Sequence, residues 1–101
     1  MNIHVVNRNA GVKGISIMRG KSALANPYRI RVDGDRAQVI AKYRAWLWLE
    51  MKNPSSNVSM ELKRLLDIAR KGSLVLVCCC KPLDCHGDVI RNCLVWLNGL
   101  K

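Results

Sequence analysis

Apolar positions along the chain fall into two periods. From Ser73 to Cys80 they form an unbroken run of Leu and Val between Gly72 and Pro82, the pattern of a strand covered on both faces. Beyond a short loop, Val89, Ile90, Cys93, Leu94 and Leu97 recur at helical spacing. This predicts a helix from His86 to about Leu97, stopped by Asn98-Gly99.

The same reading orders the rest of the chain. Ile3 to Asn7 (IHVVN) predicts a first strand and Gly14 to Arg19 (GISIMR) a second, separated by a turn. The two either form a hairpin or flank a loop in a mixed sheet. Gly20 to Pro27 is a loop whose Asn26-Pro27 end is held extended or turned. Tyr28, Ile30 and Val32 alternate with Arg29 and Arg31, which predicts a short edge strand ending at Asp33-Gly34. Asp35 and Gln38 have capping-box spacing, and Val39, Ile40, Tyr43, Trp46 and Leu47 share one face of a helix over Arg36 to Met51. Tyr43 and Trp46 belong to its buried stripe, whereas Trp48 points elsewhere. A further helix, capped by Ser59 or Asn57, carries Leu62, Leu65, Leu66 and Ala69 and closes at Lys71-Gly72. Strands alternating with helices predict one α/β domain over residues 1–101, a small Rossmann-like layer fold with a short parallel or mixed sheet and about three helices.

Charge adds a partner class. A formal net charge of +10 and a pI near 9.9 point to a polyanion, either nucleic acid or a phosphorylated small molecule, or to an acidic surface; the bland alternative is a solvated basic face. With half of the residues apolar, disorder is not expected. No signal-peptide core is visible at MNIHVVNRNA, and no apolar run approaches the ~20 residues that span a bilayer. A cytoplasmic location is therefore expected. The five cysteines are odd in number and the first three, Cys78, Cys79 and Cys80, are adjacent; this suits a reducing compartment, not a disulfide framework.

Taken together, Val5-Val6-Asn7-Arg8, Arg19-x-x-Ser22 leading to Asn26-Pro27-Tyr28, Asp33-Gly34-x-Arg36 and Val77-Cys78-x-Cys80-x-Pro82-x-x-Cys85-His86-Gly87-Asp88 resemble the small bacterial and phage family catalogued as domain of unknown function 4326. Ala25 departs from the Gly expected before the Asn-Pro pair. The resemblance implies motif positions, not a mechanism. Its phage members imply one concrete role, sequestering a nucleotide signal of host defence.

The chemistry concentrates where the Ser73–Cys80 strand hands over to the last helix. Three readings stand for it. Cys78, Cys80, Cys85 and His86 have the ligand types of a structural zinc site, although not the paired C-x-x-C spacing. Alternatively, Cys85 at a helix start between Lys81 and His86 is a catalytic thiolate of lowered pKa, with Asp84 or Asp88 orienting the imidazole. In the favoured reading the cysteines pack and the loop binds: amides of Cys85, His86 and Gly87 face an anion, Lys81 adds charge and Asp88 accepts hydrogen bonds from a ribose or base. Arg19, Ser22 and Asn26 then close the crevice from the second motif loop, with Arg29, Arg31, Lys13 and Lys21 as a basic rim. Each has a plainer role available: Asn26 setting its turn, Asp88 stabilising a helix start, Arg19 pairing with an acid. His4 reads as a satisfied strand residue. The expected function is binding of a phosphorylated, nucleotide-like small molecule. The alternatives are an enzyme cleaving or exchanging an N-glycosidic bond through Asp88 and a zinc-stabilised nucleic-acid binder. An exposed sheet edge and Trp48 make a homodimer a further expectation.

Overall fold

The structure, a computed structural model, describes residues 1–79, 81, 83 and 85–99. Its sheet has three parallel strands in the order β1-β3-β2, with β1 at Asn2–Asn7, β2 at Ile15–Ser16 and β3 at Ser73–Cys78. Asn2 pairs with Ser73 and Asn7 with Cys78, while Ile15 and Ser16 pair with Leu76 and Val77. The first two strands therefore lie on opposite sides of β3, and neither the hairpin nor the mixed sheet forms. The second strand is also shorter than its apolar run, although the Ile17 amide still donates to the Val77 carbonyl.

Period-two burial replaces the expected two-sided cover of β3. Leu74, Leu76 and Cys78 are buried, whereas Val75 and Val77 are only half-buried. On the same open face, Val6 is half-buried and His4 exposed. The reason lies in the layering. Helices α2 (Asn57–Arg70) and α3 (His86–Gly99) pack on the sheet, and α1 (Arg36–Met51) packs on those two helices. One apolar cluster results, joining Ile3, Ile17 and Leu76 of the sheet to Tyr43, Leu65 and Ile90 of the helices.

The helix starts follow from side-chain chemistry. Asp35 and Gln38 complete the reciprocal capping box at α1. The cap of α2 is Ser56, not Asn57 or Ser59: its hydroxyl accepts from the Ser59 amide. The Ser59 hydroxyl instead donates to the Glu50 carbonyl at 2.9 Å, satisfying an end group of α1. The edge strand expected at residues 28–32 is a turn. Asp33 captures the Arg29 amide with its carboxylate at 2.8 Å, and Arg31 adopts a left-handed φ of 75°. Val32 is left 76% exposed, so its apolar side chain contributes no buried stripe.

Because the strands are parallel, the loops leaving β2 and β3 emerge at the same end of the sheet. That is the end where open α/β sheets hold ligands.

Candidate functional site

The loop after β3 is laced to its surroundings. The Asn7 side-chain amide donates to the Lys81 carbonyl at 2.7 Å, and Lys81 Nζ meets an Asp88 oxygen at 2.6 Å. That contact raises the Lys81 pKa. The other Asp88 oxygen accepts from the Cys85 amide at 3.2 Å. The Cys85 amide, just before α3, is thus satisfied from within the chain, and Lys81 is paired with the carboxylate that accepts it. Gly87 serves packing: a Cβ there would stand 2.7 Å from Val5 Cγ1 and 3.0 Å from Ile17 Cδ1, so its absence lets α3 start directly against the sheet.

Cys85 corrects the thiolate expectation. Its sulfur lies 3.3 Å from that of Cys78, both residues are buried, and its pKa is pushed up to about 12, first by burial and then by the Cys78 contact. Lys81 is engaged with Asp88. A low-pKa nucleophile needs an electropositive, partly exposed setting, and desolvation outweighs the helix start here.

His86 Nε2 lies 2.7 Å from the Ile17 carbonyl, and its ring meets Tyr43 edge-on with centroids 5.2 Å apart. Burial lowers its pKa, Arg19 lowers it further, and the Ile17 hydrogen bond opposes both. Because a carbonyl only accepts, the neutral ring donates through Nε2 and keeps Nδ1 as an acceptor.

The loop after β2 is held by its own polar groups. Asn26 accepts from the Tyr28 amide at 2.8 Å and Ser22 from the Leu24 amide at 3.0 Å. Arg19 Nη2 donates to the Asn26 and Tyr28 carbonyls, and the Tyr43 hydroxyl to the Leu24 carbonyl at 2.7 Å. These bonds set the loop over the first turns of α1.

Between that loop, α1 and the start of α3 lies a cavity of about 400 Å³. Three arginines, Arg19, Arg29 and Arg36, are among its lining residues, with the polar Asn26 and His86, the largely apolar Met18, Tyr28, Ile30, Val39 and Ile40, and Cys79 and Cys85 at the side of β3. Arg19, Asn26, Cys85 and His86 thus share one lining with Arg29 of the rim. Ser22, Lys81 and Gly87 are not in the lining, and Asp88 lines a neighbouring recess. Arg36 and Tyr28 were missed as site residues, although the Asp33-Gly34-x-Arg36 and Asn26-Pro27-Tyr28 motifs carried both.

For zinc, Cys78 and Cys85 offer two converging sulfurs, while His86 Nε2 is turned to Ile17. Cys80 and Asp84 lie outside the described residues. Among the described residues no group of three or more His, Cys, Asp or Glu is placed to hold a metal ion, and no helix is long and apolar enough to cross a membrane.

A family model described as a domain of unknown function (DUF4326) matches residues 4–96. No significant match was found among curated proteins or among solved structures.

Proposed function

We propose that this chain, which belongs to the DUF4326 family, binds a phosphorylated nucleoside-type small molecule in the cavity between the β2–α1 loop and α3. One observation carries the reading: three arginines from separate points of the chain, Arg19, Arg29 and Arg36, line one cavity that also has an apolar wall. Guanidinium groups favour phosphate by charge and by their forked donors. Tyr28, Ile30, Val39 and Ile40 offer a surface for a base. The volume of about 400 Å³ falls within the range of small-molecule sites, and the net charge of +10 draws anions toward it. Binding is favoured over N-glycosidic chemistry because Asp88, the acid that would act on the sugar, lies outside this cavity and is engaged by Lys81 and the Cys85 amide. For a phage member of the family, such binding would serve to sequester a nucleotide signal of host defence.

The test is native mass spectrometry of the protein purified without chelator, followed by denaturation and analysis of what is released. A retained nucleotide-sized mass supports the reading. Retained zinc without an organic ligand would contradict it, and affinity for long DNA or RNA that falls steeply with salt would then identify a nucleic-acid binder.

A further inference from the structure

The recess that holds Asp88 adjoins the arginine cavity. It encloses about 350 Å³ and shares Ile40 and Cys85 with its neighbour; the rest of its lining is Ala37, Ala41, Arg44, Asp88 and Val89. Arg36, Ile40 and Arg44 stand four residues apart on α1, on one stripe of the helix. At 1.5 Å per residue, the backbone positions of Arg36 and Arg44 lie ~12 Å apart along the helix axis. The two lobes differ in chemistry. Three arginines make the first an anion site. In the second, Arg44 is accompanied by a carboxylate, and Ala37 and Ala41 leave a low apolar floor. Both Asp88 oxygens already accept a hydrogen bond, but an ionised carboxylate has about four acceptor positions, leaving capacity for a sugar hydroxyl. Lys81 already answers the charge of Asp88, and a sugar and a planar base would find here an acceptor, an apolar floor and a guanidinium to stack against.

We infer that the ligand is a dinucleotide, held with its phosphates in the Arg19–Arg29–Arg36 lobe and a second nucleoside in the Arg44–Asp88 lobe. This rests on the binding function proposed above and adds the ligand's second half. A mononucleotide fills the first lobe only.

The experiment is isothermal titration of the full chain with adenosine monophosphate and with P1,P2-di(adenosine-5′) pyrophosphate at one ionic strength. The dinucleotide binds at least about tenfold tighter, and Arg44→Ala brings that ratio close to one. Arg64→Ala, on α2 and outside both lobes, leaves the ratio unchanged, which separates the second lobe from bulk charge. Equal affinities, or a ratio that survives Arg44→Ala or falls equally with Arg64→Ala, overturn the two-lobe assignment and leave the binding function standing. Absence of binding by both probes overturns both.

Discussion

Tyr43 joins the parts of the crevice that the sheet does not supply. It sits on α1, donates to Leu24 of the β2–α1 loop and meets His86 at the start of α3. Burial raises its pKa, which keeps the hydroxyl a donor. Tyr43→Phe keeps the ring but strands a buried carbonyl, so it should lower unfolding free energy by ~1–3 kcal/mol, read by urea denaturation. At Gly87 the nearest obstacle is a methyl of the stiff, β-branched Val5. Gly87→Ala should therefore cost ~1–3 kcal/mol by overpacking, and a variant as stable as the parent would show that α3 is free to shift. Reactivity follows burial. With the Cys85 pKa pushed up to about 12 and that of Cys93 to about 11, iodoacetamide at pH 8 should label exposed Cys79 ahead of buried Cys78, Cys85 and Cys93, as read by peptide mass mapping. His86 sets a pH dependence. Its pKa is lowered in the folded state, so the unfolded chain binds the proton more readily. Its contribution is complete above the ordinary value of about 6.5 and declines as pH falls from there toward the folded value. Urea midpoints should fall between pH 7.5 and 5.5, and His86→Gln should flatten the decline; a rise on acidification would contradict a neutral, buried ring.

At the scale of elements, the sequence disclosed what depends on local pattern. The α1 capping box, the helical stripes and the β3–α3 handover are all written in residue spacing, and the structure has each of them. Pattern failed where competing hydrogen bonds decide. Tyr28, Ile30 and Val32 alternate like a strand, yet the Asp33 carboxylate takes the Arg29 amide and turns the chain. Ser59 looked like a cap, but Ser56 is the residue whose hydroxyl reaches the free amide. The apolar run of β3 also overstated its burial, because strand composition does not reveal on which face helices will settle. At the site, Arg19, Asn26, Cys85 and His86 were legible as motif residues. Arg36 stood in a motif and Arg29 in the basic rim, but their place in this lining was not legible, since their meeting depends on how the turn at residues 29–34 delivers the chain to α1.

At the scale of the molecule, the parallel order puts the loops after β2 and β3 at one end of the sheet, and α1 closes the space between them. The opposite sheet face, with Val6, Val75 and Val77 half-buried, remains the less covered side. Trp48 packs edge-on against Trp96, with centroids 4.8 Å apart. The charge of +10 acts through this geometry. A ligand held by a few guanidinium groups should lose affinity with salt much less steeply than a long polyanion. The most direct measurement is titration of adenosine monophosphate into the parent chain and Arg29→Ala. Arg29 is exposed at the cavity and holds its turn through its backbone amide, not its side chain, so the substitution leaves the fold in place. The account predicts saturable one-to-one binding that weakens about tenfold or more in the variant, as loss of a charge-assisted contact requires. Equal affinity in the two proteins, or no binding to either, would contradict it.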